Sequence, residues 1–110
     1  MHRPVYILEA LGTCTESDRE VEVCASAEGQ HDANRGKLVV SLDCFVRPVG
    51  LTEKETHRHP DWLPTPERLE EGVPEEDASA MVHDIFRGWA ARVRAALAAE
   101  HARRIGIVPG

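Results

Sequence analysis

The chain has two lysines against eleven arginines, and 13 basic against 19 acidic side chains give it a formal net charge of -6. An acidic total of this kind disfavours nucleic acid or an anionic membrane as partner, since phosphate contacts need concentrated positive charge. The arginine bias fits a GC-rich bacterial genome. Long apolar runs are also missing. The longest near the N-terminus, Val5 to Leu11, is broken by Glu9 and lacks a small-residue cleavage site, so neither a signal peptide nor a membrane span is expected. There is no Gly-x-Ser-x-Gly elbow, no glycine-rich phosphate loop, no internal repeat and no low-complexity tract. Cysteine is present three times, an odd count without Cys-x-x-Cys spacing. Cys14, Cys24 and Cys44 therefore read as free thiols in a reducing, cytoplasmic setting. Cys24 and Cys44 fall in strand patterns as small buried hydrophobes, whereas Cys14, between Thr13 and Thr15, is expected in an exposed turn.

What the chain does have is a change of hydrophobic period. At 110 residues it is long enough for one core, and 42% hydrophobic with 29% charged side chains is a globular composition. Residues 1 to 110 read as a single α+β domain: a small three-stranded antiparallel meander, a long irregular arm, and one long C-terminal amphipathic helix packed on one sheet face. Strands are expected at about 4–11, 19–27 and 37–47. In the first, Val5, Ile7 and Leu11 share one face and Tyr6, Leu8 and Ala10 the other. In the third, Leu38, Val40, Leu42, Cys44 and Val46 alternate with Lys37, Val39, Ser41, Asp43, Phe45 and Arg47 until Pro48 removes a ladder donor.

The arm, 48–73, holds Pro60, Pro64 and Pro66 and has no sustained period. Within it Thr65, Pro66 and Gly72 have the order of an N-cap, a first-turn proline and a C-terminal stop, which predicts a short helix at about 66–71. Glu75, Glu76 and Asp77 favour the positive end of a helix dipole, and Ala78, Met81, Val82, Ile85, Phe86, Trp89, Val93, Ala96 and Leu97 form one apolar stripe. The helix is expected over 75–99, because Glu100, Arg103 and Arg104 would rotate onto that stripe; 100–110 then reads as a tail. Gly88, at the stripe's margin, leaves a gap where another backbone could approach.

The densest patch of chemistry is the run from His57 to Trp62. If extended, it points His57, His59 and Asp61 the same way, with Glu55 in the same parity, a donor set suited to zinc or nickel and to a metal-dependent hydrolase. The plainer reading is a solvated loop anchored by Trp62 and stiffened by Pro60. On the helix, His83, Arg87, Arg94 and His101 share an outward basic stripe that could meet phosphates, although Phe86 and Trp89 lie on the core side and offer no stacking platform. Arg92, near the apolar stripe, must either snorkel to solvent or pair with a carboxylate.

The leading functional expectation is binding, not catalysis and without a cofactor, by a homodimer or with another protein. One helix covers one sheet face, and Tyr6, Leu8, Val39 and Phe45 leave the other partly apolar. These four, with Trp62 from the arm, are the candidate interface. Self-burial by the arm through Trp62, Leu63 and Leu69 is the rival.

Overall fold

A computed structural model describes residues 3–50 and 57–106. It is a two-layer α+β fold: β1 (Val5–Glu16), β2 (Arg19–Asp32), β3 (Lys37–Pro48), β4 (Glu67–Gly72) and α1 (Glu75–Arg104). The strands form one antiparallel sheet in the order β1-β2-β3-β4, and α1 lies across β1, β2 and β3. The sheet thus has four strands where the alternation predicts three. The fourth is the segment expected as a short helix at 66–71. Its proline and glycine fit a helix locally, but the free edge of β3 offers hydrogen-bond partners, and the register Leu69↔Val40 sets Leu69 against the core. Tertiary pairing overrides a six-residue propensity.

The strands also run further than their patterns suggest. A two-residue turn at Ser17 and Asp18, with φ of 50° and 61°, joins β1 to β2 as a tight hairpin. An irregularity between Ala10 and Gly12 lets β1 continue to Glu16. That shift resets the parity, so Gly12 opposes Val23 and Cys14 opposes Val21. Cys14 is consequently buried at 6% exposure, the reverse of the exposed turn expected for it. The β2–β3 connection is short as well, with Asp32 capping the turn through Asn34 N and Arg35 N.

The helix-facing side of the sheet is the core. Val21, Val23, Ala25 and Ala27 of β2 and Leu38, Val40, Leu42, Cys44 and Val46 of β3 meet Val82, Phe86, Trp89, Val93 and Leu97. Each large side chain fully buried here contributes about 1.5–3 kcal/mol. Two glycines let the helix sit this close: a Cβ on Gly12 would lie 2.8 Å from Leu97 Cδ2, and one on Gly29 would collide with Val82. Trp89 Nε1 donates to the Asp43 carbonyl at 2.8 Å, so its polar edge is satisfied inside the core.

α1 extends a turn beyond the expected end at Ala99. Glu100 does rotate onto the apolar stripe and is 3% exposed, but Arg103 and Arg104 from the next turn pair with its carboxylate. Local ion pairing makes that position tolerable. The helix ends at Arg104, with Ile105 as its C-cap and Gly106 in the turn that follows, and residues 107–110 of the expected tail lie outside the described residues. Among the described residues no helix is long and apolar enough to cross a membrane.

Candidate functional site

Opposite the helix the sheet is uncovered by any described element except at one corner. Small residues, Cys24 and Ser26, occupy the middle of β2, while Tyr6 and Leu8 of β1 stand on one side and Phe45 of β3 on the other. The result is a trough of about 800 Å³, with Ser41, Asp43, Arg47 and Glu28 completing its walls. Tyr6 is 62% and Leu8 41% exposed, an uncommon amount of open apolar surface for adjacent strand positions.

The described part of the arm reaches this face at the β3 side. Arg58 forms an isolated antiparallel bridge with Val46, its N–H donating to the Val46 carbonyl at 3.0 Å and its carbonyl accepting from Val46 N at 2.8 Å. That bridge fixes His57 on Phe45, the two rings stacked at 4.1 Å and 14°. After Arg58 the chain leaves the ladder and turns through Leu63 N to Pro60 O at 3.1 Å, carrying Trp62 and Leu63 to the helix-side core. Trp62 is therefore not beside Tyr6, Leu8, Val39 and Phe45, the four expected interface residues that do share the open face. Leu63 and Leu69 join Trp62 on the helix side, so the described part of the arm does not blanket the open face.

The trough floor carries an ion pair. Arg47 Nη2 donates to Glu22 Oε1 at 3.0 Å, with both side chains mostly buried. That bond pushes the Arg47 guanidinium above its ordinary value despite the opposing effect of burial. Beside it the Cys24 thiol is pushed up, chiefly by burial and against the pull of Arg47. Arg47 Nε and His57 Nε2 are buried without a hydrogen-bond partner among the described residues. Each such orphan costs on the order of 1–3 kcal/mol.

The expected metal ligands separate. His57 stacks on Phe45, and Asp61 is exposed beside Glu16, Glu100, Arg103 and Arg104. His59 Nε2 donates to the Pro64 carbonyl at 2.9 Å and lies 3.7 Å from Cys44 Sγ. Glu55 lies outside the described residues. Among the described residues no group of three or more His, Cys, Asp and Glu side chains is placed to hold a metal ion. Sequence reading missed Cys44 as the neighbour of His59; strand parity alone puts that thiol in the core and gives no sign of the arm's return.

Cys44 and His59 have the residue types of a nucleophile and base, but not the chemistry. Burial, then Asp43, pushes the Cys44 thiol up to about 12, and its proton points at the Pro64 carbonyl 3.2 Å away. A thiol so held is not an activated nucleophile near neutral pH.

The outward cations of α1 are engaged within the chain. Arg87 pairs with Asp84, Arg94 with Glu9 at 3.4 Å, and His83 and His101 donate to the Ser79 and Thr13 carbonyls at 2.8 and 2.9 Å. Arg92 finds its partner in β4, Glu67 at 2.8 Å, while its guanidinium lies 5.1 Å from the Trp89 ring centre. No family model, curated protein or solved structure matches the chain.

Proposed function

We propose that this protein works by binding and not by catalysis, and that the open face of its sheet is the docking surface, with a second copy of the same chain as its occupant. The observation that carries the reading is the exposed pair Tyr6 and Leu8 beside the trough on a sheet whose other face is fully packed. Size supports it. Strands spaced about 4.8 Å apart and rising about 3.3 Å per residue give this face a footprint of roughly 650 Å², near the ~800 Å² per partner of a standard interface. Charge supports self-association too. Arg47 and Arg68 share the face with Glu28, Asp43 and Glu70, so both signs of charge are at hand for pairing across a two-fold axis. Arg47 Nε and His57 Nε2, without a hydrogen-bond partner among the described residues, mark a corner where a partner has donors or acceptors to add.

Native mass spectrometry and sedimentation equilibrium on the wild type and Leu8→Arg test this. A wild-type dimer that becomes a monomer in Leu8→Arg, with an unchanged circular dichroism spectrum, is the expected result. A wild type that stays monomeric into the high micromolar range overturns the proposal, as does a dimer indifferent to Leu8→Arg.

A further inference from the structure

Among the described residues the arm leaves a gap in the hydrogen-bond ladder along β3 between Arg58 and β4. Arg58 pairs with Val46, and β4 pairs with β3 from Leu42 onward. Between those two points lies Cys44, and the chain that detours past it brings His59 and Pro64 to the gap. Three donor atoms of different softness meet there: Cys44 Sγ to His59 Nε2 at 3.7 Å, Cys44 Sγ to Pro64 O at 3.2 Å, and His59 Nε2 to Pro64 O at 2.9 Å. These separations are those of atoms around a common ion at ordinary metal–ligand distances near 2.0–2.3 Å.

We propose that Cys44 and His59 form a binding site for a soft monovalent metal ion, with Cu(I) the ion it fits, and that the Pro64 carbonyl lies alongside as a weaker donor. The donor set selects softness. A thiolate with an imidazole favours Cu(I), whereas zinc in its usual tetrahedral sites takes four ligands and meets fewer than three such side chains here among the described residues. Charge selects valence. Cys44 is fully buried, so a monovalent ion on one thiolate and a neutral imidazole leaves the site neutral, while a divalent ion leaves a net charge in the core. The Cys44 side chain belongs to the helix-side core, and His59, exposed beside it where both residues border the trough, gives the route from solvent.

On binding, the ion takes the place of the Cys44 thiol proton, which leaves to solvent, and forms bonds to Sγ and to His59 Nε2. The imidazole moves its single proton from Nε2 to Nδ1, so its hydrogen bond to Pro64 is released and its lone pair turned to the ion. No redox change is involved. Neither Cys14 nor Cys24 makes a contact with an imidazole among the described residues, so the site is specific to one of three buried thiols. This site does not depend on the dimer proposed above.

The test is a competition titration of the fully reduced protein against the Cu(I)–bicinchoninate complex under anaerobic conditions. The wild type is expected to withdraw one equivalent of Cu(I), with affinity falling at least roughly tenfold in both His59→Ala and Cys44→Ser and unchanged in Cys14→Ser. X-ray absorption of the loaded protein then shows one sulfur and at least one nitrogen neighbour. His59 is exposed, so His59→Ala keeps the test sound should Cys44→Ser misfold; circular dichroism checks each variant. Failure of the wild type to withdraw Cu(I) overturns the proposal. So does wild-type affinity in His59→Ala, which means a bare thiol adduct and leaves the contacts at Pro64 as a simple tether of the turn.

Discussion

The two faces of this sheet are made by the same three long strands yet follow different rules. On the helix side, Val23, Ala25, Ala27, Val40, Cys44 and Val46 are at or near zero exposure, and glycines 12 and 29 trim the surface so that α1 can approach. On the open side apolar, charged and small residues alternate, the described part of the arm covers one corner only, an ion pair sits in the floor, and two nitrogens have no hydrogen-bond partner among the described residues. The first face holds the fold together; the second has shape and chemistry that the fold does not use. Adjacent residues of one strand serve opposite ends because a strand turns successive side chains to opposite faces.

Breaking the packed face has the largest effect. Trp89→Ala removes a side chain at 2% exposure and its hydrogen bond to Asp43, and is expected to cost about 3–5 kcal/mol in urea unfolding. Alkaline pH attacks the same face more gradually. Cys14 and Cys44 are held above the ordinary thiol value of 9.0, Cys44 at about 12, so the folded chain keeps protons that the unfolded chain has released. Their contribution is complete below pH 9 and is lost as pH rises above it, for Cys44 progressively up to about 12 at about 1.4 kcal/mol per pH unit. Denaturation midpoints in reductant from pH 8 to 11 check the sign, and Cys44→Ser should flatten the fall.

The comparison sharpens at positions facing away from the core. A Cβ on exposed Gly88 meets nothing within 4 Å, so Gly88→Ala should stabilise by about 1 kcal/mol through helix propensity alone. A loss of stability there would revive the close backbone approach that its sequence position suggests. The smallest change in stability belongs to Tyr6→Arg, expected within about 0.5 kcal/mol of wild type in monomer unfolding at low concentration. If it costs several kcal/mol, the open face is part of the core and the contrast between the faces fails.

Much of the packed face is legible in the chain itself. The alternation through β3 and the stripe from Ala78 to Leu97 name residues that do meet, because both depend on local periodicity and on apolar side chains avoiding water. Where strand ends and parity depended on pairing, reading failed: Cys14 turned inward through the shift near Gly12, and Glu67–Gly72 became a strand. The candidate site was legible in halves. Tyr6, Leu8, Val39 and Phe45 follow from parity, but His57 on Phe45 and His59 beside Cys44 depend on how the arm returns to β3, which no spacing encodes.

By itself, then, the sequence determined the α+β class, the helix-facing side of β2 and β3, and the surplus of apolar positions for one helix to cover, all consequences of period and hydrophobicity along neighbouring residues. Only the tertiary structure decided the fourth strand, the burial of Cys14 and Glu100, the removal of Trp62 from the open face and the meeting of Cys44 with His59. Those depend on hydrogen-bond partners and packing neighbours distant in the chain, and such contacts become favourable only once the sheet and helix have supplied the surface that receives them.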